Sequence, residues 1–400
     1  MKNAIQTLCI SITFASLGAA CAEGTDGSFP VFLEIDHQTT DGVTALQNLD
    51  SEIFGQESRW ERFPGDVTVA ERLVALYGAR AEFTGRYSDF DKSLSLVESL
   101  VREGVENPEV WFLYSDVLVN VHRFDEAEEA IHQGELLGGQ SGDRQALLGI
   151  ARGDKPDTLL AERSVAAAAS PTFRTLSGLA VIQSAFGQFQ RADDNYRGAL
   201  SAYRDISPFP IAETAFQMGV MWGESADDIE LARGLYAASV ERLPAYVVAN
   251  VHLAELEFDA GQERAAIARL EAIVDRTEDP EPASRLGEFL LGIDDSLAET
   301  YKERARSGYQ ELLDRHYLAF IDHAAEFYLG AGDDPAQALE LALDNLANRP
   351  DDRAYQLAIE ASIAANSDLT CMLARDARSN PTRVSLAQLL DELAVECALP

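Results

Sequence analysis

Residues 187–200 read GQFQRADDNYRGAL. Gly187, then Phe189, then Ala192, Tyr196 and Ala199 at helical spacing, describe a turn entering a helix with a small-and-aromatic face. The fold depends on whether that pattern recurs. Taking the small residue near the start of each such helix as the marker gives Phe90, Ala127, Ala161, Ala192, Ala232, Ala266, Ala298, Ala338 and Cys371, separated by 31 to 40 residues. A period in that range marks a stacked array rather than a set of globular domains. The neighbours repeat too, as HRFDEAEEAI at 122–131, GQERAAIARL at 261–270 and DDPAQALELALDNLANRP at 333–350.

Each marker is preceded by a second apolar segment. Trp111 stands sixteen residues before Ala127, and LSGLAV, FQMGVM and NVHLAEL precede Ala192, Ala232 and Ala266. Two helices per period, with alanine where the axes approach and Tyr, Phe or Leu filling the gaps, satisfy the packing of antiparallel helices. Pro244 and Pro350 at repeat ends stop one hairpin from running into the next. The pattern resembles the tetratricopeptide repeat family: Trp111, Leu179-Ala180, Leu253-Ala254, Gly187, Phe189, Ala192, Tyr196, Ala199, Pro244 and Pro350 fall at its signature positions. Phe90 and Cys371 depart from the family's alanine, in the first and last units. The resemblance implies an all-α fold, a right-handed α-solenoid of about nine stacked helix-turn-helix units over residues 66–381.

Two separations of 40 mark insertions. YRDISPFPIAE (203–213) reads as a proline-rich connector, whereas AETYKERARSGYQELLDRHYLAF (298–320) predicts an overlong second helix that projects as a ridge. Outside the array, DGVTALQNLDSEIF (41–54) places Val43, Leu46, Leu49, Ile53 and Phe54 on one face of an N-terminal packing helix. Residues 23–65 then form a tether and that helix. Residues 382–400 form a C-terminal capping helix with Gln388, Asp391, Glu392 and Glu396 outward.

The first twenty residues carry one charge, Lys2, ahead of an apolar run and small residues, the pattern of an export signal. Two cleavage readings stand: a signal peptide over 1–22, or a lipoprotein signal over 1–20 with Cys21 lipidated at LGAAC. Either places the protein in the periplasm, soluble or tethered by a lipid at Cys21, and no later run is long enough for a membrane span. Cys371 and Cys397 remain as a pair in an oxidising compartment. The start of one helix neighbours the end of the next in a hairpin, so the spacing predicts a disulfide between them.

With 32 basic against 67 acidic residues the chain carries a net charge of -35, which repels polyanions and excludes nucleic acid as a partner. Six histidines give few metal-ligand combinations. Glu129 and His132, with Glu128, have i, i+3 spacing but lack the second such motif of a dimetal site. His316 and His323 are seven apart, with a turn between repeats expected to separate them. No phosphate loop, nucleophile elbow or paired-carboxylate motif occurs, so no catalytic residue, cofactor or metal is expected.

Function in such an array lies in the groove lined by first helices. Register from the markers nominates Phe112, Asp116, Asn120, Val181, Gln217, Met221, Glu224, Val251, Glu255, Phe258, Asp259, His323 and Phe327, a lysine-free, acidic and apolar set. It suits a basic peptide or protein segment with apolar anchors. The expected function is a non-enzymatic scaffold of the bacterial cell envelope. The alternative is a pilotin-like assembly factor for outer-membrane or pilus machinery, and a remote one is a metal protein or enzyme.

Overall fold

The computed structural model describes residues 38–154, 157–377 and 383–399, all within one compact unit, Val31–Pro400. The described residues contain nineteen α-helices and no strand. An N-terminal helix, α1 (Gly42–Arg62), precedes α2 (Val67–Thr84) and α3 (Ser88–Arg102), α4 (Pro108–Asn120) and α5 (Phe124–Leu136), and α6 (Arg144–Ala151) and α7 (Asp157–Ala169). Next come α8 (Phe173–Ala185) and α9 (Phe189–Ala202), α10 (Phe209–Val220) and α11 (Ile229–Arg242), and α12 (Val247–Asp259) and α13 (Glu263–Glu271). The chain continues through α14 (Glu281–Phe289), α15 (Asp295–Leu329), α16 (Pro335–Asn348), α17 (Asp352–Ala364) and α18 (Thr370–Ala377), and ends in α19 (Val384–Glu392). A kink at His316, φ -140° and ψ 58°, divides α15. Its first limb pairs with α14 and its second with α16, so α2 to α18 form nine hairpins between α1 and α19.

Local chemistry sets the hairpin boundaries. Aspartate carboxylates cap α2 (Asp66), α11 (Asp228), α15 (Asp294), α16 (Asp334) and α17 (Asp351) by accepting from first-turn amides. Gly187 sits at φ 69°, a left-handed conformation that lets α8 turn directly into α9. Ala127, Ala192, Ala232, Ala266, Ala298 and Ala338 are fully buried at the helix approaches. Ala161 is the exception and is exposed: the third hairpin is thin, with an eight-residue α6, and α7 buries only Leu159 and Ala167.

The solenoid winds until it meets itself. The turn between α2 and α3 lies against the connector before α14, where Tyr87 donates to Asp279 Oδ2 at 2.9 Å and Ser88 Oγ to Glu278 Oε1 at 2.7 Å. On α3, Asp91 receives Arg315 and lies 2.9 Å from His316 Nε2. His122 Nδ1 is 3.1 Å from the Leu318 carbonyl, and Asn348 donates to the His122 carbonyl at 3.3 Å. Leu312, Ala319 and Phe320 enter the same apolar cluster as α1 to α6. The expected ridge is therefore absent: the end of α15's first limb is docked on α3, because the kink at His316 turns the chain back there. At the other flank Phe83 stacks on Phe209 and meets Tyr246 edge-on, with both centroid distances 4.9 Å.

Helix α1 takes part in this closure rather than only covering an end. A Cβ on Gly42 would lie 2.8 Å from the Arg242 carbonyl, so only glycine allows the approach. Its buried face is Gly42, Ala45, Leu49 and Ile53, while Val43 and Phe54, expected inward, are 59% and 71% exposed. Leu49 and Ile53 are buried as expected and Leu46 is partly so, but the stripe is rotated at its edge because the small residues, Gly42 and Ala45, make the contact there. The segments 1–22, with Cys21, and 23–37 lie outside the described residues.

Candidate functional site

Winding gathers first helices from several hairpins around a lumen with several hollows, two of which differ in character. The first, of about 590 Å³, lies among α2, α4, α6 and α10. Glu71, Glu82, Glu109, Asp116 and Glu213 face it against one arginine, Arg144, whose guanidinium is already 3.0 Å from Asp116. Phe83, Leu113, Phe209 and Pro210 supply apolar wall between the carboxylates. The protein around Glu82, together with the charge of Glu213, raises its pKa against the pull of a Tyr246 hydrogen bond, although its carboxylate stays open to solvent. Burial raises Glu213 as well. The two neighbouring carboxyl groups are both exposed to the chamber, where they repel one another and face any incoming cation.

The second chamber, of about 450 Å³, is built by α12, α14, the second limb of α15, α17 and Arg383 ahead of α19. A connected ion network fills its wall. Arg285 meets Glu255 at 2.6 Å and Glu288 at 3.1 Å, with Glu281 at 3.5 Å. Arg353 holds Glu326 at 2.8 Å and Asp322 at 3.7 Å, and Arg383 reaches Glu224 at 3.3 Å. Burial would depress His252, but the hydrogen bond and charge of Glu255 and the charge of Glu224 outweigh it and carry the ring up to about 9. Burial likewise opposes ionisation of Glu255, yet Arg285 and His252 bring it down to about 2. His323 is raised by Asp322 and Glu281 against its own burial, and burial raises Glu281.

A pH dependence follows with a definite sign. His252, raised above its unfolded value of 6.5, contributes stability fully below pH 6.5 and loses it as pH climbs towards 9. Glu255, depressed from 4.5, contributes above pH 4.5 and loses it as pH falls towards 2. Counted once for the pair, the effect is on the order of 2–3 kcal/mol. Melting temperature against pH should therefore peak between about 4.5 and 6.5 for this pair, and His252→Gln should flatten the alkaline limb. An unchanged alkaline limb would show that His252 is neutral at rest.

Placement of the nominated groove residues divides cleanly. Asp116 and Asn120 line the first chamber, and Glu224, Glu255 and His323 line the second. Phe112, Met221, Val251 and Phe327 are instead core residues, 0%, 2%, 0% and 2% exposed. Phe112 fills the space left by Gly134, where a Cβ would lie 2.5 Å from its ring. Val251 and Phe327 each sit one residue from the lumen-facing His252 and Glu326, and Met221 opens a π-helical turn (Met221–Ser225) that shifts Glu224 inward. Phe258 is half-buried and stacks on Phe289 at 4.0 Å. Val181, Gln217 and Asp259 are exposed and line neither chamber. Glu128 and Glu129 are engaged by Arg152 and Gln133 on an exposed face. Cys371 and Cys397 are joined by a disulfide with Cα atoms 4.9 Å apart.

Beside the nominated Glu224, Glu255 and His323, sequence reading passed over the other charged residues of the second chamber, among them His252, Glu281, Arg285, Glu288, Glu326 and Arg353. They carry a legible signal: Glu281, Arg285 and Glu288, His252 and Glu255, His323 and Glu326, and Arg353, Gln356 and Glu360 recur at i, i+3, i+4 or i+7 on first helices. Such a stripe on a helix that also buries alanines faces an enclosed surface.

No family model matches the sequence, and no curated protein matches it. Solved structures similar to it include the human IFIT1 dimer with PPP-AAAA, at 16% identity over 88% of this chain and 69% of that one, TM-score 0.39. The yeast Tom70 structure is 11% identical over 89% and 94%, TM-score 0.35. The P58(IPK) TPR domain is 12% identical over 89% and 95%, TM-score 0.27. The α-solenoid itself rests on the nine stacked hairpins of this chain.

Proposed function

We propose that this protein is an exported, non-enzymatic scaffold that captures a basic segment of another protein in the chamber among α2, α4, α6 and α10. The observation that carries the reading is the composition of that wall: five carboxylates, one arginine already paired, and aromatic and aliphatic surface between them. An incoming lysine or arginine would stabilise the ionised forms of Glu82 and Glu213, and its apolar neighbours would pack on Phe83 and Phe209. Supporting export are the signal-like N-terminus and the Cys371–Cys397 disulfide, a bond that persists in oxidising compartments. The tethered variant of this reading, an assembly factor anchored at Cys21, is motivated by LGAAC and is tested by loss of lipid labelling in Cys21→Ser.

Fluorescence anisotropy with a labelled peptide alternating Arg or Lys with Leu or Phe tests the chamber. Binding should weaken by about tenfold or more between low and high salt, and by a similar factor in Glu82→Gln/Glu213→Gln. Equal binding of the matching Glu-containing peptide, or affinity indifferent to both salt and the double variant, would remove the proposal.

A further inference from the structure

We infer that Glu281, His323 and Glu326 form a binding site for one divalent transition-metal ion of the zinc type. The site lies in the second chamber, apart from the proposed peptide chamber, and does not depend on that reading. His323 and Glu326 stand three apart on the second limb of α15, one above the other on the same face. Glu281 opens α14, which packs across from them. One imidazole nitrogen and two carboxylate oxygens from these residues all fall within 4.8 Å of one another.

Two of the three groups are held only by long ion pairs. Glu281 is 7% exposed, yet its carboxylate accepts no hydrogen bond among the described residues; Arg285 approaches only to 3.5 Å and His323 Nδ1 to 3.7 Å. The His323 ring, 34% exposed, makes no hydrogen bond among the described residues either and opens onto the chamber. Neither the Glu281 carboxylate nor the His323 ring is among the sealed, unpartnered polar atoms of the described residues, so both are open to a ligand entering from the chamber. A water molecule can donate only two protons, whereas three ligand atoms within 4.8 Å of one another suit a shared cation. Bonds of about 2.0–2.1 Å to a tetrahedral ion set its ligands roughly 3.4 Å apart, close to the Glu281–His323 approach.

The surroundings fit the charge. Six carboxylates line this chamber against three arginines and the protonated His252, which leaves a surplus of two negative charges for a dication to offset. Arg353 donates to Glu326 Oε1 at 2.8 Å, which orients the carboxylate and leaves Oε2 for the ion. The mixed nitrogen and oxygen set favours Zn²⁺, Co²⁺ or Ni²⁺ over Mg²⁺ and Ca²⁺, which prefer all-oxygen shells. Three protein ligands leave the fourth position open towards the chamber.

The full chain, with its free thiols alkylated so that Cys9 and Cys21 do not chelate, is dialysed against Zn²⁺ and analysed by mass spectrometry and titration calorimetry. One Zn²⁺ per chain should bind, unaffected by an excess of Mg²⁺ or Ca²⁺. Glu326→Gln and His323→Asn should each weaken binding by about tenfold or more at unchanged helicity, and His132→Ala, on the exposed face of α5, should leave it intact. Absence of bound Zn²⁺ in the alkylated wild-type chain, or wild-type affinity in the folded Glu326→Gln chain, overturns the assignment. The conservative Glu326→Gln retains this test if a histidine variant fails to fold.

Discussion

Replacing Arg285 with alanine should destabilise the protein by roughly 3–5 kcal/mol in urea unfolding, the largest effect expected of any substitution in the lumen. Arg285 is the sole cation within ion-pairing distance of three carboxylates at once among the described residues: Glu255, Glu281 and Glu288. Removing it leaves those charges in a wall that already raises Glu281 by burial. The cost is that of an uncompensated buried charge, which exceeds the net worth of the intact pair. Arg144→Ala is the internal comparison, since Arg144 pairs with a half-exposed Asp116 where solvent screens the loss, and it should cost no more than about 1 kcal/mol. A similar small loss for Arg285→Ala would mean that water filling the second chamber screens its network as bulk solvent does. The Arg285→Met variant refines the reading, because methionine restores packed volume without charge, and only the electrostatic part of the loss should remain.

The hairpins were legible because a repeat states its period many times over. Ala192 and its counterparts at 127, 232, 266, 298 and 338 all lie at fully buried approaches, and a single misread unit, the one marked by Ala161, did not disturb the rest. Groove residues had no such redundancy. One helical position is about 100° of rotation, so Val251 and His252, or Phe327 and Glu326, are separated by one step in sequence and by the whole wall in space. Met221 shows a second limit, since a π turn inserts a residue that no periodicity announces. Closure of the solenoid was beyond sequence altogether. Asp91 with His316, Tyr87 with Asp279 and Gly42 with Arg242 are each contacts across about 200 residues, and none belongs to a repeated motif. That closure brings first helices from distant repeats to face one another, and their convergence crowds the charges of the second chamber.

The last hairpin carries the second large effect. Reducing the Cys371–Cys397 bond, or replacing both cysteines by serine, should cost the C-terminal hairpins about 3–4 kcal/mol on the chain-entropy model for a loop of 26 residues. An end repeat depends on this more than an internal one, because a solenoid unit is held chiefly by its neighbours and the last has a stacked repeat on one side, with the contact of Arg383 with Glu224 across the lumen beside it. Within the loop, α18 buries Leu373, Ala374 and Ala377, and α19 buries Leu386 and Leu390. Arg375 adds a hydrogen bond to the Cys397 carbonyl at 2.9 Å, which forms only while α19 is docked. The consequence is local in origin but reaches the lumen. Arg383, just ahead of α19, is the cation that meets Glu224, and its amide donates to Asp352 at 3.1 Å. Fraying of α18 and α19 would therefore open the second chamber at the Arg383 side. Hydrogen exchange of the reduced protein should show lost protection in α17 to α19 and in the Glu224 turn, with α2 to α9 unchanged. Uniform loss across the chain would show the solenoid to be a single cooperative unit, and unchanged protection in α18 and α19 would show that packing alone holds the terminal hairpin.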